Sequence, residues 1–270
     1  DITDYYMCLY TADNFSGTLK SCNEGTLEWV PKNKLTELNL WEGDLIFFQL
    51  LEENAPFFSL KLCYRNNVLL EAVLDGKPLE LLDIVDSHGC PTGIVRERSL
   101  AHRYGDRHRT SHVWIVRPGR TKKGGYDLLL QKRSQDKDSF PGCYDISSAG
   151  HIPAGQDYLP SALRELEEEL GISALAEQLE FIGCYDSVCQ SEFHGKPFHN
   201  HEYSAVYMLF CDMDASAMTI QEEEIEEVIW MDYEDCLEGI KNNTFPHCIF
   251  MEEIKMLGRA LCRHAKDPAM

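Results

Sequence analysis

Four glutamates stand close together near the middle of the chain, within residues 164–172, and three of them share a spacing that could serve chemistry. Glu165, Glu168 and Glu169 are spaced i, i+3 and i+4, so a helix would bring their carboxylates onto one face. Like charges at this spacing repel one another. A divalent cation bound between the carboxylates would replace this repulsion by attraction, because Mg²⁺ and Mn²⁺ prefer carboxylate oxygen as a ligand. The spacing therefore predicts a metal site, although similar acidic runs also occur on solvated helix faces.

The segment around these glutamates has the pattern of an amphipathic helix. Its apolar stripe recurs at helical spacing and consists of Leu159, Leu163, Leu166 and Leu170. Pro160 suits the first turn of a helix, and Gly171 suits its end. We therefore expect the helix to pack through its leucines and to leave the glutamates, which lie well away from them, free to bind a cation.

A longer motif contains this helix. Residues 150–172 resemble the Nudix box, written G-x5-E-x7-R-E-U-x-E-E-x-G-U with U aliphatic. The matching residues are Gly150, Arg164, Glu165, Leu166, Glu168, Glu169, Gly171 and Ile172. One position departs from the motif, because Gln156 stands where the box has a glutamate. That substitution removes a supporting carboxylate and bears on activity, whereas the family assignment does not depend on it.

The resemblance implies a set of roles for these residues. Glu165, Glu168 and Glu169 would hold Mg²⁺ or Mn²⁺ together with the carbonyl oxygen of Gly150. Arg164 stands at i−4 from Glu168 and would orient the carboxylates by a salt bridge. Glu165 would also be a candidate for the base that activates water.

Residues 81–240 are similar to the isopentenyl-diphosphate-isomerase-like branch of the same superfamily. The stretches that carry this similarity are LDIVDSHGCPTG, HRTSHVWIV, LLLQKRSQDKDSFPGCYDISSAGHIPAG and EYSAVYM. In that branch a basic pair grips the substrate diphosphate, and Arg133 and Lys137 stand at the matching positions, with Lys132 as an assisting residue. Two cations beside a metal site suit the anionic tail of a diphosphate.

The same similarity implies further site residues. His108 and His151 match two metal-ligand histidines of the isomerases, although most single histidines in a sequence have no such role. Glu202 corresponds to the catalytic glutamate of those enzymes and is a candidate for the base or for a late metal ligand.

The amino-acid composition of the chain limits the classes of molecule that it is expected to bind. The chain has 270 residues with 25 basic and 45 acidic side chains, a formal net charge of −20. Such a charge disfavours nucleic acid polymers and anionic membranes. No apolar run approaches the ~20 residues that span a bilayer. The eleven scattered cysteines favour reduced thiols and a cytoplasmic location.

The order of predicted elements indicates two units. Residues 79–265 read as the Nudix hydrolase domain, an α/β/α sandwich with a mixed sheet. Residues 1–78 read as a β-rich unit, with strands expected at 5–10, 27–30 and 46–51 and a short helix at 32–38. This unit resembles the C-terminal half of a MutT-like Nudix domain and lacks a box of its own. The chain starts without an initiator methionine, so we expect it to be part of a longer protein.

These features together predict a Mg²⁺-dependent Nudix hydrolase. It would cleave the diphosphate linkage of a nucleoside-diphosphate-type or other organic substrate by water attack at phosphorus. Two alternatives stay open: an isopentenyl-diphosphate isomerase-like enzyme, and a Nudix module that binds without catalysis. The expected partner is a small-molecule diphosphate, and assembly as a homodimer is left open.

Overall fold

The computed structural model describes residues 4–21, 23–120, 122, 124–193 and 195–266. The chain divides into two compact units, Asp1–Leu40 and Trp41–Met270. Within the described residues, no helix combines the length and apolarity that crossing a membrane requires.

The first unit is largely irregular. Its one helical segment among the described residues is a 3-10 helix over Lys32–Glu37, close to the short helix expected at 32–38. The strands expected at 5–10 and 27–30 are wrong, since both stretches are irregular. Tyr5 and Tyr6 are almost fully exposed. A strand needs a neighbour for its backbone hydrogen bonds, and an apolar run alone does not supply one.

The second unit begins with a helix and a small sheet. The helix α1 covers Glu42–Glu52, and the strands β1, β2 and β3 cover Leu60–Arg65, Val68–Leu74 and Lys77–Pro78. The strand expected at 46–51 is therefore wrong. Ile46 and Leu50 both pack on the same cluster, as the i, i+4 spacing of a helix allows. The Asp44 carboxylate accepts the backbone N–H of Trp41 at 3.1 Å and caps the first turn.

This segment packs against the strands that follow it. The shared apolar cluster contains Ile46, Leu69, Ala72, Leu81, Val95 and Leu100. Arg96 adds an ion pair with Glu42 at 3.1 Å. The boundary that we expected between residues 78 and 79 lies inside the second unit. The assignment of residues 1–78 to a separate Nudix-like half stays a prediction.

The main sheet has nine strands and is mixed. Its strands are β4 Leu81–Val85, β5 Pro91–Glu97, β6 His108–Pro118, β7 Tyr126–Arg133, β8 Tyr144–Asp145, β9 Ser148–His151, β10 Leu179–Phe193, β11 Lys196–Phe210 and β12 Ile225–Asp232. The path runs β10-β11-β6-β4-β5, with β7 and β9 also pairing with β6. The β11–β6 pair is parallel, while β10–β11, β6–β7 and β6–β9 are antiparallel.

Four helices complete the unit: α2 Arg98–Tyr104, α3 Tyr158–Leu170, α4 Tyr233–Asn242 and α5 Met251–Lys266. Along β6, Val113 and Ile115 join the apolar cluster that includes α3, whereas Trp114 and Val116 join the cluster that includes α4 and α5. Both faces of this strand are therefore buried. The predicted α/β/α sandwich with a mixed sheet is confirmed.

The packing of the small sheet β1–β3 against β4, β5 and α2, all within the second unit, can be tested with two neighbouring leucines. Leu69 is 1% exposed and Leu70 is 54% exposed, because they point to opposite faces of β2. We expect Leu69→Ala to lower the free energy of unfolding by about 2–4 kcal/mol. Leu70→Ala is the matched control and should change it by less than about 0.5 kcal/mol. Denaturation followed by tryptophan fluorescence measures both, and equal effects would contradict this packing.

Candidate functional site

The helix α3 presents the three glutamates as the sequence pattern requires. Leu166 and Leu170 are fully buried against the sheet, which fixes the rotation of the helix about its axis. The helix ends at Gly171, whose φ of 66° is left-handed and whose N–H donates to the carbonyl of Glu167 at 3.0 Å. The prediction of an amphipathic helix that stops at this glycine is confirmed.

The glutamates open into one cleft of about 430 Å³. Its wall includes all the box residues that we expected to act, namely Gly150, Arg164, Glu165, Glu168 and Glu169. It also includes His151, Arg133, Lys137 and Glu202 from other elements. The predicted site residues that are absent from the lining are Lys132 and His108.

Gly150 is needed where β9 passes under α3. A Cβ atom at this position would overlap the carboxyl carbon and Cγ of Glu165, well inside van der Waals contact. The strand is held there by pairing with β6, where Gly150 faces Ser111. The absence of a side chain therefore lets a carboxylate approach the backbone directly.

Arg164 contacts two of the three glutamates. Its guanidinium lies 2.7 Å from Glu165 Oε1 and 2.9 Å from Glu168 Oε2. One planar fork thus ties neighbouring carboxylates together and offsets their repulsion. This is the arrangement expected of a residue that orients the carboxylates.

Burial raises the pKa of two of the glutamates. Burial raises the pKa of Glu169 to about 8, and it also raises the pKa of Glu165 above its ordinary value. Glu169 Oε2 is buried and has no hydrogen-bond partner among the described residues. A divalent cation would satisfy this oxygen and stabilise the charged carboxylates, so the donor set fits Mg²⁺ or Mn²⁺.

The basic residues divide into two groups. Arg133 and Lys137 line the cleft, where Lys137 forms an ion pair with Glu224. Arg133 donates to the backbone oxygen of Ser139 at 3.1 Å and to Asp145 at 3.2 Å, so it also holds the loop that follows β7. Lys132 instead pairs with Glu226 at 2.8 Å, away from the cleft lining.

His108 and His151 lie together, joined by a third histidine that the sequence analysis missed. One ring nitrogen from each of His102, His108 and His151 falls within 4.8 Å of the others. The Nε2 atoms of all three are buried without a hydrogen-bond partner among the described residues. His102 lies on α2, six residues before His108, and this short spacing was the available signal.

The three imidazoles are held neutral. Burial lowers the pKa of His102 to about 3, with a further contribution from His108. Burial also lowers the pKa of His108, and it lowers that of His151 well below the ordinary value. Neutral imidazole is the form that binds a metal ion, so this cluster fits a cation as well.

Other charged side chains at the cleft also escaped the sequence analysis. They include Glu80, Arg98, Asp145, Glu253 and the ionisable His112. Glu80 lies 3.5 Å from His151 Nδ1 and 3.5 Å from Arg98 Nε. His112 directly precedes the apolar run 113–116 of β6, and a polar residue at the edge of an expected buried strand was the available signal.

Comparison with known proteins agrees with this geometry. A model described as the NUDIX domain matches residues 106–248, which is just over half of the chain. The chain belongs to the Nudix family. The predicted class, a Nudix hydrolase domain, is confirmed. The isomerase-like branch and the Nudix-like origin of residues 1–78 stay predictions.

Individual relatives carry the same family name. Nudix hydrolase 3 of Arabidopsis thaliana is 42% identical over 158 residues, which cover 58% of this chain and 20% of that protein. An uncharacterized Nudix hydrolase of Clostridium acetobutylicum is 32% identical over 163 residues, covering 60% of this chain and 75% of that one. The chain thus spans only about a fifth of the length of the Arabidopsis relative.

A solved structure supports the fold alone. The crystal structure of DR0079 from Deinococcus radiodurans superposes with a TM-score of 0.50 at 19% sequence identity. The match covers 65% of this chain and 98% of that one.

The buried Glu169 makes stability depend on pH. With its pKa raised to about 8, folded metal-free protein holds a proton that the unfolded chain releases above its ordinary value near 4.5. Glu169 should therefore lower the free energy of unfolding by about 2–4 kcal/mol between pH 5 and 8 in EDTA. The neutral histidines His102, His108 and His151 act in the opposite direction over this range, so the contribution of Glu169 is read as the difference between wild type and Glu169→Gln, whose amide does not titrate. Glu167→Gln, on the exposed side of α3, is the control, and an identical pH profile for Glu169→Gln and wild type would contradict the assignment.

Proposed function

We propose that this chain hydrolyses a diphosphate linkage in a nucleoside-diphosphate-type or other organic substrate, with Mg²⁺ or Mn²⁺. The observation that carries the proposal is the convergence of Glu165, Glu168 and Glu169 on one cleft that also contains Lys137 and Arg133. Carboxylates that can bind a metal cation thus lie in the same cleft as basic side chains that can bind phosphate. In a chain of net charge −20, only such a local arrangement would attract a diphosphate.

The box residues would hold the metal. Glu165, Glu168 and Glu169, with the Gly150 carbonyl, supply the oxygen ligands that Mg²⁺ prefers, and Arg164 keeps two of them aligned. When bound, the cation would neutralise the diphosphate oxygens and lower the pKa of a coordinated water. Glu165 or Glu202 would orient that water or accept its proton for in-line attack at phosphorus.

The cationic residues would bind the diphosphate. Lys137 is less constrained than Arg133, because its ammonium would exchange only its ion pair with Glu224 for a phosphate oxygen. Arg133 would bind phosphate while its other nitrogens keep the loop in place through Ser139 and Asp145. The position of Lys132, paired with Glu226, gives no support to an assisting role.

The histidine cluster is the second place where a cation would bind. His102, His108 and His151 offer neutral nitrogens without competing hydrogen bonds among the described residues. Such nitrogens favour a softer divalent ion such as Mn²⁺ or Zn²⁺ over Mg²⁺. The cluster borders the cleft through His102 and His151, so a cation there would add to the positive charge that faces the substrate.

Isomerisation is the rival activity, and one residue argues against it. Isomerases of the similar branch place a catalytic cysteine two positions before the ligand histidine, where this chain has Ala149. A methyl group cannot donate or accept a proton, and allylic proton transfer needs an acid and a base on opposite sides of the substrate. The complete Arg164–Glu169 run of the box also favours hydrolysis.

A substrate panel tests the proposal directly. Nucleoside diphosphate sugars, dinucleoside polyphosphates and isoprenoid diphosphates are incubated with protein and Mg²⁺, and phosphorus NMR identifies the products. We expect phosphate or monophosphate release from at least one compound and none in EDTA. Conversion of isopentenyl diphosphate to its dimethylallyl isomer, abolished by Glu202→Gln, would overturn the proposal.

Metal binding at the box has its own test. Replacing Glu168 and Glu169 together by glutamine should reduce Mg²⁺ binding in titration calorimetry to background, because two of three carboxylate ligands lose their charge. The Glu167→Gln variant should bind as wild type does. Undiminished Mg²⁺ affinity in the double variant would place the metal elsewhere.

Substrate contact by Lys137 should appear in KM. Loss of one charge-assisted contact costs about 1.5–3 kcal/mol, so Lys137→Ala should raise KM by about ten- to a hundredfold for any diphosphate in the panel that is turned over. Lys241→Ala, on the exposed surface of α4, should leave KM within about twofold. If both variants behave alike, Lys137 is a solvated surface residue.

A further inference from the structure

Several ionisable side chains at the cleft have no part in the hydrolysis described above, and two of them form a hydrogen-bonded pair. These two are His112 on β6 and Glu253 in the first turn of α5. His112 Nδ1 lies 3.1 Å from each carboxylate oxygen of Glu253. The other ring nitrogen, Nε2, lies 3.9 Å from Oε2 of Glu202 on β11. One imidazole thus connects a carboxylate of the C-terminal helix with the proposed base.

Glu253 is an acidic residue in an almost fully buried position. It is 1% exposed, and its carboxylate also accepts the indole N–H of Trp114 at 3.0 Å. Its neighbour Ile254 belongs to the apolar cluster beneath α5. An apolar side chain at position 253 would fill this space without desolvating a charge, and buried ion pairs are weak sources of stability. The carboxylate therefore indicates a role beyond holding the helix in place.

The contacts of the ring favour its charged form. Burial by itself would lower the pKa of His112, but the charge and hydrogen bond of Glu253, followed by Glu202 and Asp145, raise it to about 9. These three carboxylates are the charged groups that face the ring from α5, β11 and β8. A ring in this state carries a hydrogen on both nitrogens.

Two hydrogen-bonded hydroxyl groups hold the other nitrogen of the His112 ring. Nε2 of His112 is 3.3 Å from Thr110 Oγ1, which is 2.7 Å from Ser204 Oγ. Because an imidazolium nitrogen can only donate, Thr110 Oγ1 accepts from His112, and either hydroxyl can be the donor between Thr110 and Ser204. Both nitrogens of the ring are thereby held, and its charge is kept at a fixed place beside Glu202.

We propose that the Glu253–His112 pair is a positioning device for Glu202, through which α5 fixes the geometry of the cleft. The proposal rests on the proposed hydrolysis. A fixed positive charge 3.9 Å away attracts the Glu202 carboxylate and restricts the rotamers that it adopts. In this role His112 acts through Glu202.

The charge of the ring can be measured without any variant. In protein with nitrogen-labelled histidines at pH 7.5, we expect NMR to show both ring nitrogens of His112 protonated. The signal is assigned by its loss in His112→Gln, and in Glu253→Gln the ring should become neutral. A neutral His112 ring in the wild-type protein at this pH would overturn the proposal.

Kinetics test whether the charge positions Glu202. The probe is the panel compound that wild-type protein turns over fastest. Small displacements of a reacting group cost up to about a hundredfold in rate, so His112→Gln and Glu253→Gln should each lower kcat by about ten- to a hundredfold. Their KM should stay within about threefold, because in this role both residues act through Glu202.

Trp114→Phe is the matched control. It removes a hydrogen bond to the same buried carboxylate and lowers the melting temperature, yet it keeps the charges of His112 and Glu253. Its kcat should stay within about twofold of wild type. An equal loss of kcat in Trp114→Phe, or unchanged kcat in both charge variants, would overturn the positioning role.

The failure of this proposal is distinct from failure of the proposed hydrolysis. If wild-type protein turns over no compound in the panel, the hydrolysis proposal falls and the positioning role falls with it. If wild type is active and His112→Gln is equally active, the positioning role alone is wrong. Should His112→Gln not fold, the wild-type NMR spectrum and Glu253→Gln decide the question.

Discussion

The cost of placing acidic groups next to each other inside the protein governs the architecture of this site. Glu165 and Glu169 are both removed from water on the same side of α3, and burial alone raises the pKa of each carboxyl. Arg164 offsets part of the repulsion by bridging Glu165 and Glu168. Glu169 Oε2 has no hydrogen-bond partner among the described residues, so either a proton on this carboxyl or the proposed cation would offset the remaining repulsion. The helix α3, Gly150 beneath it and the basic side chains across the cleft all lie next to these carboxylates.

The scaffold provides the rigidity that this arrangement needs. The strand β6 is buried on both faces, and it pairs with β9, which carries Gly150, and with β11, which carries Glu202. Apolar clusters on the two sides of the sheet then fix α3 and α5. Groups on packed strands and helices hold their positions better than groups on loops, and proximity contributes to catalysis only when geometry is maintained.

Sequence patterns were informative wherever local periodicity and burial agreed. The leucine stripe and Gly171 predicted α3 because a 3.6-residue period and a left-handed stop are local properties of the chain. The run 46–51 was too short for periodicity to separate strand from helix, and its packing on Leu69, Ala72 and Val95 decided the outcome. Residues 5–10 have a strand-like composition, but strand formation depends on a neighbour that composition cannot reveal.

The cleft residues were predicted only as far as the box and the similarity to one branch of the family extended, and that similarity gave Arg133, Lys137, His151 and Glu202. The box gave Gly150 and the glutamates of α3, whereas His102 and Glu253 come from elements far apart in sequence and meet only through the fold. Lys132 lies next to Arg133 in sequence, yet the two-residue period of β7 turns it toward Glu226 and away from the cleft. Spatial neighbours of this kind require the tertiary structure.

Hydrolysis by water attack at phosphorus is tested most directly by whether an oxygen atom from the solvent enters the phosphate product. Reaction of the panel compound that is turned over fastest, in water enriched in oxygen-18 with Mg²⁺, is followed by mass spectrometry of the phosphate-containing products. Water attack at phosphorus predicts one oxygen-18 atom in one phosphate product per bond cleaved, and no product when Glu168 and Glu169 are both glutamine. Phosphate products without the label, or an isomerised substrate with its diphosphate intact, would contradict the account.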